Sequence, residues 1–171
     1  KIGVAFVNGE CPAEERRRRE QVALSYATPE IEIGIISTPA SPYIRGMSPA
    51  DIQMAAPSFI EAFREAERQG YDAVVPLGML DLGIDGGKSA VDISVVGAFE
   101  ACFHIASLLG DRFGLVDYHP RTIPFTRAMA RRYQMEFKIA GIRSVGFSLA
   151  DIAANRDQMV QDFVANARAL I

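Results

Sequence analysis

Six short apolar runs alternate with stretches of helical length, and this alternation limits the possible folds more than any other feature of the chain. The runs fall at residues 1–7, 31–36, 73–77, 93–96, 113–116 and 142–146. Helical patterns are expected over 14–27, from about 48 to 69, and over 98–109, 124–133 and 155–170, from the 3.6-residue spacing of apolar positions. Short apolar strands alternating with helices build a parallel sheet with helices on both faces, so the fold class is α/β. Ser48-Pro49 reads as the N-cap and first-turn proline of the second helix, and Gly70 as its stop. Pro57 inside that pattern predicts a kink or a break. Gly110 closes the helix over 98–109. Residues 1–110 and 111–171 each begin with a strand ending in a polar turn, which suggests an N-terminal α/β lobe and the start of a second.

The 171 residues are 49% hydrophobic and 23% charged, with a formal net charge of −3. That is an ordinary globular balance, enough for one domain or two small lobes. The basic cluster Arg16-Arg17-Arg18-Arg19 is bracketed by Glu14, Glu15 and Glu20. It reads as a solvated helix face with mixed ion pairs, so no nucleic-acid partner is expected. No apolar run reaches the roughly 20 residues that span a bilayer, and no signal peptide is visible, so no membrane partner is expected. Two cysteines, Cys11 and Cys102, are too few for a disulfide scaffold, and a reducing cytoplasm is the expected location.

The stretch Tyr71-Asp72-Ala73-Val74-Val75-Pro76-Leu77-Gly78-Met79-Leu80-Asp81-Leu82-Gly83-Ile84-Asp85 carries the strongest hint of function. A strand-like run ends there in a loop with two glycines and two aspartates, and ligands of open parallel sheets bind at the carboxyl ends of the strands. Asp81 and Asp85 are acid/base candidates or caps for the short segment after Gly83. Asp117-Tyr118-His119-Pro120 follows the fifth strand, and His119 has chemistry suited to proton transfer at neutral pH; a plain helix start is the competing role. Asn8, Ser41 and Tyr43 follow the first and second strands and can line the same cleft. Gly86-Gly87-Lys88-Ser89 echoes a phosphate-binding loop but lacks the upstream glycine at the required spacing, so a nucleotide site is rejected. Cys102 and His104, on an apolar helix, are expected to be structural, Cys102 in the core. That helix suits a subunit interface as well as a core, which leaves a homo-oligomer open.

Four segments in order resemble the aspartate/glutamate/hydantoin racemase superfamily, most of all its hydantoin and allantoin racemase branch. They are Asn8 at the end of the first strand; Pro42-Tyr43-Ile44-Arg45-Gly46 after the second; Ala56-Pro57 with residues 60–73; and Val96 to Gly110 followed by Arg112-Phe113. The resemblance implies a two-lobed α/β enzyme with its site in a cleft between the lobes. It also implies proton transfer by two thiols facing each other across the substrate, without cofactor or metal. At the first thiol position this chain has Gly78, as the arylmalonate decarboxylase branch does. The second thiol would follow one more strand, so the expectation is a C-terminal end beyond Ile171 that hides that thiol rather than proving its absence.

The expected enzyme acts at a carbon α to a carbonyl or carboxylate of a small acidic or cyclic-amide substrate. Gly78, Met79, Asn8, Ser41, Tyr43, Asp117 and Tyr118 would shape its pocket, and His119 or Asp81 would supply acid/base chemistry. Rivals are a one-thiol lyase, a hydrolase of the same fold, and a non-catalytic binding protein.

Overall fold

The computed structural model describes residues 1–7, 13–38, 49–78, 80–147 and 154–171. The chain forms two compact units, Lys1–Ala101 and Cys102–Ile171.

In the first unit, β1 (Ile2–Val7), β2 (Ile33–Thr38), β3 (Ala73–Pro76) and β4 (Ser94–Val95) form one parallel sheet in the order β2-β1-β3-β4. The long helix α2 (Pro49–Arg68) packs across β1, β2 and β3. Its buried residues Ala55, Phe59, Ala62, Phe63 and Ala66 recur at the spacing of one helical face. Phe59, Ala62, Phe63 and Ala66 meet Ala5, Ile36, Val74 and Val95 from the strands in one apolar core. Of the kink or break expected at Pro57, the break does not occur, and α2 runs through the proline as one helix. The missing amide costs one intrahelical bond, and the buried face on either side of it holds the helix together.

Tyr71 enters the sheet through a slot left by glycine. A Cβ on Gly34 of β2 would fall 1.9 Å from the Tyr71 hydroxyl, and one on Gly3 of β1 3.4 Å from its ring. Helix α1 (Ala13–Leu24) is different in kind: Val22 and Tyr26, spaced like an apolar stripe, are exposed. Ion pairs hold it instead, with Glu15 bridging Arg18 and Arg19 at 2.8 and 2.7 Å and Arg16 pairing with Glu20. The mixed ion pairs expected of the arginine cluster are therefore present. Arg16 also donates to Ser37 Oγ at the end of β2.

A short helix α3 (Ile84–Ala90) follows the loop after β3 and packs on α2. The Gly86-Gly87-Lys88-Ser89 sequence lies inside it. A Cβ on Gly87 would meet the Phe63 ring at 2.4 Å, so glycine there serves close packing of two helices. Lys88 pairs with Glu100 at 3.0 Å.

Helix α4 (Ala98–Leu109) runs from the first unit into the second. Phe99 and Phe103, four residues apart, are buried, whereas Ile105, Leu108 and Leu109 are exposed. Cys102 is exposed too, which corrects the expectation that it is core; it sits off the stripe that Phe99 and Phe103 define. In the second unit, β5 (Phe113–Asp117) and β6 (Ile139–Ser144) pair in parallel. Phe103 packs on Phe113 and Tyr133, with ring centroids 5.4 and 6.5 Å apart. Helix α5 (Ile123–Arg132) buries Thr126, Met129 and Ala130. After α6 (Arg156–Arg168), Leu170 lies over β5 and β6, where a Cβ on Gly114 or Gly141 would come within 2.9 Å of it. Among the described residues no helix is long and apolar enough to cross a membrane.

Candidate functional site

The strand order fixes where a ligand of the first unit would sit. From β1 the chain moves to β2 on one side, then crosses to β3 on the other. The carboxyl ends of β1 and β3 therefore flank a topological switch point, where the connections part and leave a crevice. β1 ends at Val7 and β3 at Pro76, and the Leu77 amide still donates to the Ala5 carbonyl at 2.8 Å. Gly78 comes next. It is exposed, its φ is +134°, and among the described residues a Cβ built on it would meet nothing within 4 Å. Its backbone thus lies in a region that side chains avoid. Asn8, Ser41, Tyr43 and Met79, expected to share this crevice, lie outside the described residues, as does Cys11.

Asp81 closes the loop that Gly78 opens. It is 5% exposed and has a left-handed backbone, φ +46°. Its Oδ1 accepts from the Phe99 amide at 2.8 Å and its Oδ2 from the Glu100 amide at 2.9 Å. These are amides of the first turn of α4, which have no acceptor within the helix. Asp81 therefore caps α4, a helix it does not belong to. The sequence offered capping as an alternative but could not name the helix. The residue it missed is Gly97, just before α4, where a Cβ would fall 2.5 Å from Asp81 Oδ2. A helix start without a capping side chain of its own was the available signal.

The second unit carries a comparable turn after β5. Asp117 Oδ1 accepts from the Tyr118 amide at 2.8 Å and Oδ2 from the Thr126 hydroxyl at 2.7 Å, so the side chain joins its strand to α5. Tyr118 is exposed. His119 precedes a 3-10 turn, Pro120–Thr122, and its Nδ1 accepts from the Arg121 amide at 3.1 Å. That bond makes Nδ1 an acceptor and leaves Nε2 as the ring's other nitrogen. The turn is pinned to β6 as well, through Val145 donating to the Asp117 carbonyl and Phe147 to that of Tyr118, both at 3.0 Å. Asp117, Tyr118 and His119 are thus brought together, and so are Gly78 and Asp81, each group within its own unit. Among the described residues no cluster of His, Cys, Asp and Glu could hold a metal ion.

One carboxylate in the first unit has a strongly altered acidity. The Arg18 side chain, hydrogen-bonded to Glu15 and aided by Arg19, lowers the Glu15 carboxyl from 4.5 to about 2, against the opposing effect of burial. Every partner that lowers it lies on its own helix, so the shift describes how α1 is held.

A family model described as Asp/Glu/hydantoin racemase matches residues 15–171. A hydantoin racemase of Pseudomonas sp. (strain NS671) is 29% identical over 111 residues, covering 61% of this chain and 45% of that protein. The chain thus spans less than half the length of the curated relatives it matches. Among solved structures, allantoin racemase from Klebsiella pneumoniae has a similar fold with a TM-score of 0.80 at 22% identity, covering 96% of this chain and 67% of that one. A mutant of arylmalonate decarboxylase in a liganded form is similar at a TM-score of 0.58 and 15% identity, covering 96% and 72%.

Proposed function

Because this chain belongs to the Asp/Glu/hydantoin racemase family, we propose that it acts, without cofactor or metal, at a carbon α to a carbonyl or carboxylate of a small acidic or cyclic-amide substrate. The observation that carries this reading is the family match over residues 15–171. The switch point between β1 and β3, with Gly78 exposed just beyond the end of β3, supports it. Racemisation is the reaction proposed first, and hydantoins and allantoin, the compounds named by its relatives, are the first substrates to try.

The chemistry asks for a group that removes the α-proton, a group that returns one to the opposite face, and donors for the enolate between them. Gly78 offers no side chain for the first task, but it leaves space and backbone close to the crevice. The Asp81 carboxylate accepts two amides of α4 and is the weaker candidate for proton transfer. His119, whose Nδ1 is engaged by the Arg121 amide, is the stronger one, with Nε2 as the atom it offers for proton transfer. Gly78 also favours a second reading, a lyase. When a carboxylate leaves as carbon dioxide, its bonding electrons form the enolate, and one proton donor completes the reaction.

Proton NMR in deuterium oxide separates these readings. Candidate hydantoins, amino acids and α-aryl malonates are incubated with the protein. Loss of the α-proton signal with the carbon skeleton intact marks a racemase, and loss of carbon dioxide marks a lyase. His119→Ala is expected to slow either reaction on the order of 100-fold or more, the usual contribution of a positioned acid. Binding without turnover of any of these compounds would refute the enzyme reading and leave a binding protein.

A further inference from the structure

Asp81 does something a helix cap does not require. Caps are ordinarily supplied by a Ser, Thr, Asp or Asn at the residue preceding the helix. Here that position is Gly97, and the acceptor arrives from 18 residues away. The fit is reciprocal, since a Cβ on Gly97 would approach Asp81 Oδ2 to 2.5 Å and Cγ to 2.8 Å. Gly97 itself lies outside the left-handed region, and the three atoms nearest a Cβ there all belong to the Asp81 carboxylate. The side chain that caps this helix from afar is thus the one that bars a local cap. The arrangement found instead puts a non-glycine residue at φ +46°, a backbone state that persists where the surroundings over-determine it. That strain lies three residues beyond Gly78. Leu77, bonded to Ala5, anchors the start of the same loop to β1.

We propose that Asp81 is a positioning residue whose carboxylate, clamped to the Phe99 and Glu100 amides, holds the end of the loop after β3 in the geometry that receives substrate. The proposal rests on the racemase-family reading above and names what keeps its site in place. Asp81 acts through the loop and need not touch the reacting atoms.

The test compares the wild type with Asp81→Ala, Asp81→Asn, and Asp81→Ala combined with Gly97→Ser. It reads thermal midpoint, amide hydrogen exchange of the peptide covering residues 77–83, and kcat/KM with KM and kcat resolved. Asp81→Ala is expected to lower the midpoint, speed exchange in that peptide at least tenfold, and lower kcat/KM at least tenfold. Adding Gly97→Ser gives α4 a cap of its own and is expected to recover most of the midpoint. Fast loop exchange and low kcat/KM are expected to persist in the double variant, because the new cap does not reach the loop. Asp81→Asn, which keeps one acceptor, should fall between wild type and Asp81→Ala in loop exchange.

If the double variant regains loop protection and kcat/KM along with its midpoint, Asp81 is a helix cap and nothing more. Wild-type loop exchange in Asp81→Asn or Asp81→Ala would overturn the clamp as well. Should the wild type turn over no substrate, the family reading of activity fails separately, and loop exchange still decides whether the clamp exists.

Discussion

Replacing Gly78 with cysteine tests the site most directly, because the position has two properties that pull in opposite directions. Among the described residues a Cβ there meets nothing within 4 Å, so no clash with them is expected. The backbone φ of +134° is one that side chains rarely adopt, so the whole cost is strain, of order 1–3 kcal/mol. For a chain of this size each kcal/mol moves the thermal midpoint by roughly 2–4 °C, so a drop of about 2–12 °C is expected. Gly78→Ala should fall by the same amount, which separates strain from the thiol. Because the position is exposed, the cysteine should also react readily with a thiol reagent. If the crevice at the switch point is where the α-carbon sits, the cysteine variant and not the alanine variant should gain deuterium exchange at that carbon. Unchanged midpoints in both variants would refute the strain argument. A folded, thiol-reactive variant with no gain in exchange on any substrate would refute the placement of the reacting carbon beside Gly78.

Gly34→Ala should destabilise the first unit by about 1–3 kcal/mol through overpacking, because its Cβ would fall 1.9 Å from the Tyr71 hydroxyl. Tyr71→Phe in the same chain should recover part of that loss in urea unfolding, and additive losses would show that the slot does not set the cost. Glu15→Gln should destabilise at neutral pH by at most about 3 kcal/mol, at roughly 1.4 kcal/mol per pH unit. The folded-state pKa is lowered, so this stability is present above about 4.5 and lost as pH falls towards 2. Denaturant unfolding of both proteins from pH 6 to 2 should therefore converge, and a gap independent of pH would contradict the ion-pair account of α1.

Strands bounded by clear turns were legible in the sequence. The runs at residues 1–7 and 73–77 correspond to β1 and β3, and the helix over 98–109 matches α4. Edges set by a partner were not. β2 begins at Ile33 rather than Ile31 because Ile31 exchanges backbone bonds with Thr28 in a turn, while Ile33 is the residue paired with Ile2. β6 starts three residues earlier than its apolar run, at Ile139, because its register is set by Phe113 across an irregular step. The same limit applies to the site. That the loop after the third strand matters follows from its glycines and aspartates. That Asp81 reaches the amides of Phe99 and Glu100 depends on a contact spanning 18 residues, which no local pattern encodes. In the same way, the apolar residues of α1 and α4 gave the spacing of a helix without saying which of them would face water.

The close seat of α3 on α2 has a consequence for how the site can change. Gly83 and Gly87 leave no room for a side chain against Ala56 and Phe63, and Asp81 is tied to α4, so the chain from Asp81 to Gly87 is held against α2 and α4. Upstream, Pro76 is buried in the sheet and Leu77 is bonded to β1. Gly78, Met79 and Leu80 are the three residues between these fixed ends. If the proposed site lies beside Gly78, new specificities are best sought at Met79 and Leu80, in libraries of two positions that leave the left-handed backbone of Gly78 untouched.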